Sequence, residues 1–101
     1  MQQGRRKGRL RAVLTYKAEI DGRMEEQARM FDTEKARKIC DVKNSFGNKV
    51  KEMYMTGKGV IFQYDVNGKA LEVADQRQAR KWVGEHEPDR YIEFFGEVEE
   101  G

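Results

Sequence analysis

The chain holds one cysteine (Cys40), one histidine (His86), one proline (Pro88), one serine (Ser45) and one tryptophan (Trp82) in 101 residues. A single thiol excludes an internal disulfide and fits a reducing, cytoplasmic setting. One thiol and one imidazole do not supply the three or four suitably spaced ligands of a structural zinc site, so no metal is expected. Cys40 or Ser45 with His86 would be the only nucleophile–histidine pairs. They come from separate segments without a recognisable motif, and Cys40 reads more simply as a small core residue. No apolar run is long enough to cross a bilayer, and none follows the basic start as in a signal peptide, so no membrane partner is expected.

Cofactor loops are missing too. Gly57-Lys58-Gly59 lacks the earlier glycine, the following Ser/Thr and the helix of a phosphate-binding loop, and it reads as a hairpin turn. Asp65-x-Asn67-Gly68 echoes a calcium loop, but its glycine falls too early and Glu72 stands too close to be the terminal ligand. No cofactor is expected, and no enzyme.

What the chain does have is charge. Charged and hydrophobic residues each make up 38%, with ten aromatics and five methionines, which is a foldable composition. Net charge is +2, yet residues 1–51 carry fourteen Lys/Arg against seven Asp/Glu, and residues 52–101 carry six against eleven. Most such charge is a solvated surface; the remainder can steer a partner. Arg5, Arg6, Lys7, Arg9 and Arg11 crowd the start, and Lys35, Arg37 and Lys38 continue the basic half. These are the candidate contacts to a protein or to phosphates. Against phosphates stands the absence of a helix-turn-helix, zinc finger or aromatic RNA-binding signature.

Residues 1–8 read as a flexible basic arm, 9–96 as one domain and 97–101 as an acidic tail. From Leu10 to Ile20 apolar residues alternate, as in a half-buried strand. After Asp21-Gly22, the even-numbered Met24, Ala28 and Met30 continue the pattern. A three-residue loop would put them on the same face as Leu14 and Ala18, pairing Ala18 with Met24 and Leu14 with Ala28. Asp32 or Thr33 can cap a helix in which Ala36, Ile39 and Cys40 form a stripe at i, i+3, i+4.

A meander follows. A two-residue Gly57-Lys58 turn would pair Met55 with Val60 and Met53 with Phe62, and Asn67-Gly68 would pair Tyr64 with Leu71 and Phe62 with Val73. All three strands would then share one apolar face. Tyr54 would lie on the other, as the exposed aromatic available to a partner. Asp75 to Gln78 reads as a capping box before Ala79, Trp82 and Val83. Pro88 opens a last helix with Tyr91, Phe94 and Phe95 on its stripe, closed by Gly96. The fold class is α+β in the order ββαβββαα, with helices covering one face of the sheet.

Phe31-Asp32-Thr33-Glu34-Lys35-Ala36, the hairpin Tyr54-Met55-Thr56-Gly57-Lys58-Gly59 and the C-terminal run from Ala79 to Glu100 carry a resemblance. Over residues 31–101 the chain resembles small uncharacterised proteins of bacterial phage and integrative-element gene clusters. The shared motifs are turns, caps and core stripes, so the resemblance implies a common fold and carries no functional residues across. It implies a mobile-element setting, in which small non-enzymatic proteins dock on a host protein or ribonucleoprotein complex, including as anti-CRISPR-like inhibitors of defence. The alternative is direct nucleic-acid binding through the basic arm and the first helix. Long alternating edge strands also permit a homodimer by strand pairing.

Overall fold

The computed structural model describes residues 10–101 and is α+β: six antiparallel strands in two sheets, followed by two helices. The strands are β1 (Arg11–Ile20), β2 (Arg23–Asp32), β3 (Arg37–Lys43), β4 (Lys49–Met55), β5 (Ile61–Asp65) and β6 (Ala70–Val73). The helices are α1 (Gln76–His86) and α2 (Pro88–Phe95). β1 and β2 form a two-stranded hairpin; β3 to β6 form a sheet in sequential order. The sequence reading placed a helix after residue 31; the chain builds β3 there instead, and both helices are C-terminal.

The reason is local. Both side chains accept backbone hydrogen bonds, but Asp32 closes a turn and Thr33 Oγ1 accepts from the Leu10 N–H across the hairpin at 3.0 Å. Asp32 Oδ1 accepts from the Glu34 N–H at 2.9 Å, and the Lys35 N–H donates to Asp32 O at 3.1 Å. In β3 the ladder then slips: Lys38 pairs with Tyr54, and Cys40 with Met53, leaving Ile39 as an extra residue in a bulge. That bulge breaks strict alternation and imitates a helical stripe. Ala36 joins one core cluster, while Ile39, Cys40 and Val42 join the other.

Turn geometry corrects two registers. Asp21 (φ 53°) and Gly22 (φ 80°) form a two-residue turn with both residues in the left-handed region, so Ile20 pairs with Arg23, and Leu14 with Arg29. The three-residue loop and its Ala18–Met24 pairing are therefore wrong. Between β4 and β5 the loop is three residues long. The Gly59 N–H donates to Thr56 O, the Thr56 N–H donates to Val60 O, both at 2.9 Å, and Gly59 takes φ 87°. Met55 thus faces Ile61 and Tyr54 faces Phe62, one residue away from the expected register. The Tyr64–Leu71 and Phe62–Val73 pairs are as expected, although the turn is longer: the Lys69 N–H donates to Asp65 O at 2.7 Å.

These registers give the sheet two buried faces. On one side the hairpin covers Tyr54 and Phe62, with Phe31 as its main contribution. Aromatic contacts run from Tyr16 to Phe31 (5.7 Å), Phe31 to Phe62 (5.1 Å) and Phe62 to Tyr54 (5.4 Å, stacked). On the other side α1 and α2 cover Ile39, Met53 and Ile61 with Ala79, Val83, Tyr91, Phe94 and Phe95. Asp75 caps α1, its Oδ1 accepting from the Gln78 N–H at 2.9 Å. Gln76 fastens the helix to the sheet, accepting from the Ile61 N–H at 2.7 Å and donating to Ile61 O at 2.8 Å. Arg90 of α2 donates to Ile39 O and Lys38 O (2.7 and 2.8 Å), the carbonyls at the bulge.

Tyr54 is therefore buried, at 9% exposure, and not the exposed aromatic expected. Its hydroxyl donates to Glu52 Oε1 at 2.7 Å, and Lys49 Nζ holds Glu52 Oε2 at 2.7 Å. Glu52 itself is 1% exposed.

Two outcomes test this arrangement. Phe62→Ala removes a fully buried ring between the two layers and is expected to cost ~3–5 kcal/mol in urea unfolding, whereas Phe46→Ala, at an exposed loop tip, changes stability by less than ~0.5 kcal/mol. Burial, followed by the hydrogen bond to Glu52, raises the Tyr54 phenol above its ordinary 10.0. The Glu52 hydrogen bond likewise raises Lys49 above 10.5. Both groups hold their protons longer folded than unfolded, so their stabilisation is full below pH ~10 and is lost as pH rises past it. Thermal melts between pH 8 and 11 are expected to fall above pH ~10, and less steeply in Tyr54→Phe.

Candidate interaction surface

The two-residue turn decides what the hairpin shows to solvent. Even residues of β1 face the sheet, and they pair with odd residues of β2. The opposite face combines Val13, Thr15, Lys17 and Glu19 with Met30, Ala28, Glu26 and Met24, in that pairing order. All eight are exposed, and Val13 (62%), Met24 (63%) and Met30 (54%) are among the most exposed large apolar residues. No described element lies over this face. The three-residue loop expected from the sequence puts Met24 and Met30 on the face of Leu14 and Ala18; the signal that finds them on the other is Phe31, which lies on the odd face and needs burial more.

At one end of the hairpin two adjoining hollows of about 350 and 220 Å³ lie between β2 and the β4–β5 turn. They share Met30, Thr56 and Gly57, with Arg11 and Lys35 lining the first and Arg29 and Lys58 the second. Of the predicted contact residues, Arg11 and Lys35 thus meet at one place, and neither forms an ion pair among the described residues. The other two do not join them. Arg37 pairs with Glu93 at 3.1 Å and lies over the Phe94 ring at 4.3 Å; Lys38 pairs with Asp41 at 2.7 Å. Both sit on β3, so the basic side of a first helix does not exist. Arg5, Arg6, Lys7 and Arg9 lie outside the described residues.

A third hollow, of about 460 Å³, brings Cys40 and His86 together with Asp41, Lys43, Trp82 and Arg90. Cys40 and His86, a pair from separate segments without a motif, are thus brought to one place by β3 and α1. Its chemistry is not that of an activated thiol. Burial, then the charges of Glu87 and Asp41, push the Cys40 thiol up to about 11, whereas a nucleophilic cysteine is shifted down. The His86 ring stacks on Trp82 at 4.3 Å, with Nδ1 3.0 Å from Trp82 O. Among the described residues no cluster of His, Cys, Asp and Glu could hold a metal ion, and no helix is long and apolar enough to cross a membrane.

Comparison of the chain with protein-family models, with curated proteins and with solved structures found no match.

The thiol offers a direct check. Cys40 lies about two pH units above a free cysteine's 9.0, so its thiolate fraction near pH 8 is about 100-fold lower. Alkylation by iodoacetamide is expected to be slower by about that factor than in the urea-unfolded chain, with a rate that climbs until pH ~11.

Proposed function

We propose that this protein is a non-enzymatic binding module that docks on another protein through the outer face of the β1–β2 hairpin. The observation that carries this reading is the solvent-facing set Val13, Met24 and Met30 on a face that no described element covers. Scattered apolar residues on a surface need no explanation, but Val13 and Met30 pair directly across the strands with Ala28 next along β2, and together they make one apolar end of the face. The Lys17–Glu26 pair borders that end, and Met24 lies beyond it, opposite Glu19 near the turn. If the chain has the mobile-element setting its resemblance implies, the partner is a host protein or ribonucleoprotein, and docking would inhibit or modulate it.

Direct nucleic-acid binding is supported less well. Two of the four described candidate cations are engaged by Glu93 and Asp41, and Arg11 and Lys35 share their hollow with Asp32.

The two readings separate by charge and salt. A Val13→Lys, Met30→Glu variant is expected to melt within a few degrees of the parent, because both positions are exposed and the new charges are opposite in sign across the strands, yet to lose the protein retained by the parent in affinity capture from the native host. Binding to generic duplex DNA that falls steeply with added salt, and survives in this variant, would instead establish the phosphate reading.

A further inference from the structure

Among the described residues both strands of the hairpin have an outer edge without a ladder partner, but β1 lies alongside β6, whereas β2 has no such neighbour and its outer edge is the open one. Which backbone groups it offers follows from the turn. In a two-residue hairpin the flanking pair, here Ile20 and Arg23, exchanges both hydrogen bonds, and such pairs recur at every second residue. The odd residues of β2 therefore turn their N–H and C=O groups towards β1. At the far end, the Thr33 N–H donates to Leu10 O at 2.9 Å, as this parity requires. The even residues Met24, Glu26, Ala28 and Met30 point theirs outward. Among the described residues Ala28 O is met there by a surface guanidinium, Arg29 Nη1 at 3.0 Å.

We propose that this edge pairs antiparallel with the same edge of a second copy of the chain, with Gln27 on the two-fold axis. Hydrogen-bonded pairs across the junction must join even residues to even residues. Centring on Glu26 would set that carboxylate against its own copy. Centring on Ala28 would put Glu26 opposite Met30 and Met24 opposite Asp32. Centring on Gln27 places Met24 opposite Met30 and Glu25 opposite Arg29, each twice by symmetry, with an uncharged residue at the axis. The strand is complementary to itself in that register and in neither neighbour. Met24, Met30 and Val13 of both copies then fall on one side of a continuous four-stranded sheet. The inference rests on backbone parity and charge pairing, independently of the docking function proposed above.

Analytical ultracentrifugation of the full chain tests it. The parent is expected to sediment at twice the mass of the 11.8 kDa monomer as concentration rises. Glu25→Arg alone sets Arg against Arg29, and Arg29→Glu alone sets Glu against Glu25, so each variant is expected to stay monomeric at concentrations where the parent dimerises. An equimolar mixture of the two restores both opposite-charge pairs, and is expected to form the heterodimer. Ala28→Pro removes an outward N–H without touching the β1–β2 ladder, so it is expected to be monomeric and folded by circular dichroism. A parent that is monomeric throughout overturns the proposal. So does a dimer that both charge variants and Ala28→Pro leave intact.

Discussion

Everything in this fold depends on β4 and β5 burying both of their faces. Ile61 and Phe62 are adjacent in sequence, point to opposite sides, and are each fully buried. An antiparallel sheet often leaves one face to water, but here neither can be left. One layer cannot satisfy that demand in a chain of 101 residues, so it is met twice: by the hairpin against Phe62 and Tyr54, and by the helices against Ile61 and Met53. Burying each such side chain contributes roughly 1.5–3 kcal/mol, more than the cost of any turn used to reach it. The turns follow the core.

That order of importance explains what could be read from the sequence. The two C-terminal helices were visible because Asp75, Pro88 and Gly96 mark their ends, and each presents an apolar stripe to one layer. The β5–β6 register was visible because Tyr64, Leu71, Phe62 and Val73 all serve one side. Where residues serve two sides, alternation misleads. Met53 and Phe62 look like partners only if the sheet has one apolar face; with two, Tyr54 takes Phe62 and the loop grows by one residue. In β3 the bulge at Ile39 shifts residues between layers and leaves a spacing that a helix would also produce. Neither a second buried face nor a bulge has a local residue signature, because both are set by chain far away in sequence.

The charges sort by the same geometry. Those near the helices are consumed within the fold: Arg37 and Arg90 converge on Glu93 and the Phe94 ring, and Arg90 also satisfies the carbonyls that the bulge exposes. Among the described residues Glu52 is the one fully buried carboxylate, held by Lys49 and Tyr54. Breaking such a pair is far costlier than never having built it, so this cluster fixes the position of β4 more than it adds stability. A charge asymmetry between the two halves of the chain is thus a poor guide to recognition, because Arg37, Lys49 and Lys51 of the basic half pair with Glu93, Glu52 and Glu72 of the acidic half.

The outer surface of the hairpin is the by-product of one competition. Strand β2 carries Met24, Ala28 and Met30 on its even side and Phe31 on its odd side, and only one side can face the sheet. A three-residue loop would bury the methionines and turn Phe31 outward. The two-residue turn does the reverse, and Phe31 then contacts both Tyr16 and Phe62. A rigid ring that joins two layers gains area and edge-to-face contacts, while a flexible methionine loses side-chain entropy on burial. Phe31 therefore prevails, and the methionines are left in solvent beside Val13. The same parity turns the even backbone groups of β2 outward. The exposed apolar side chains and the open hydrogen-bonding edge thus share one cause, the burial of a single phenylalanine.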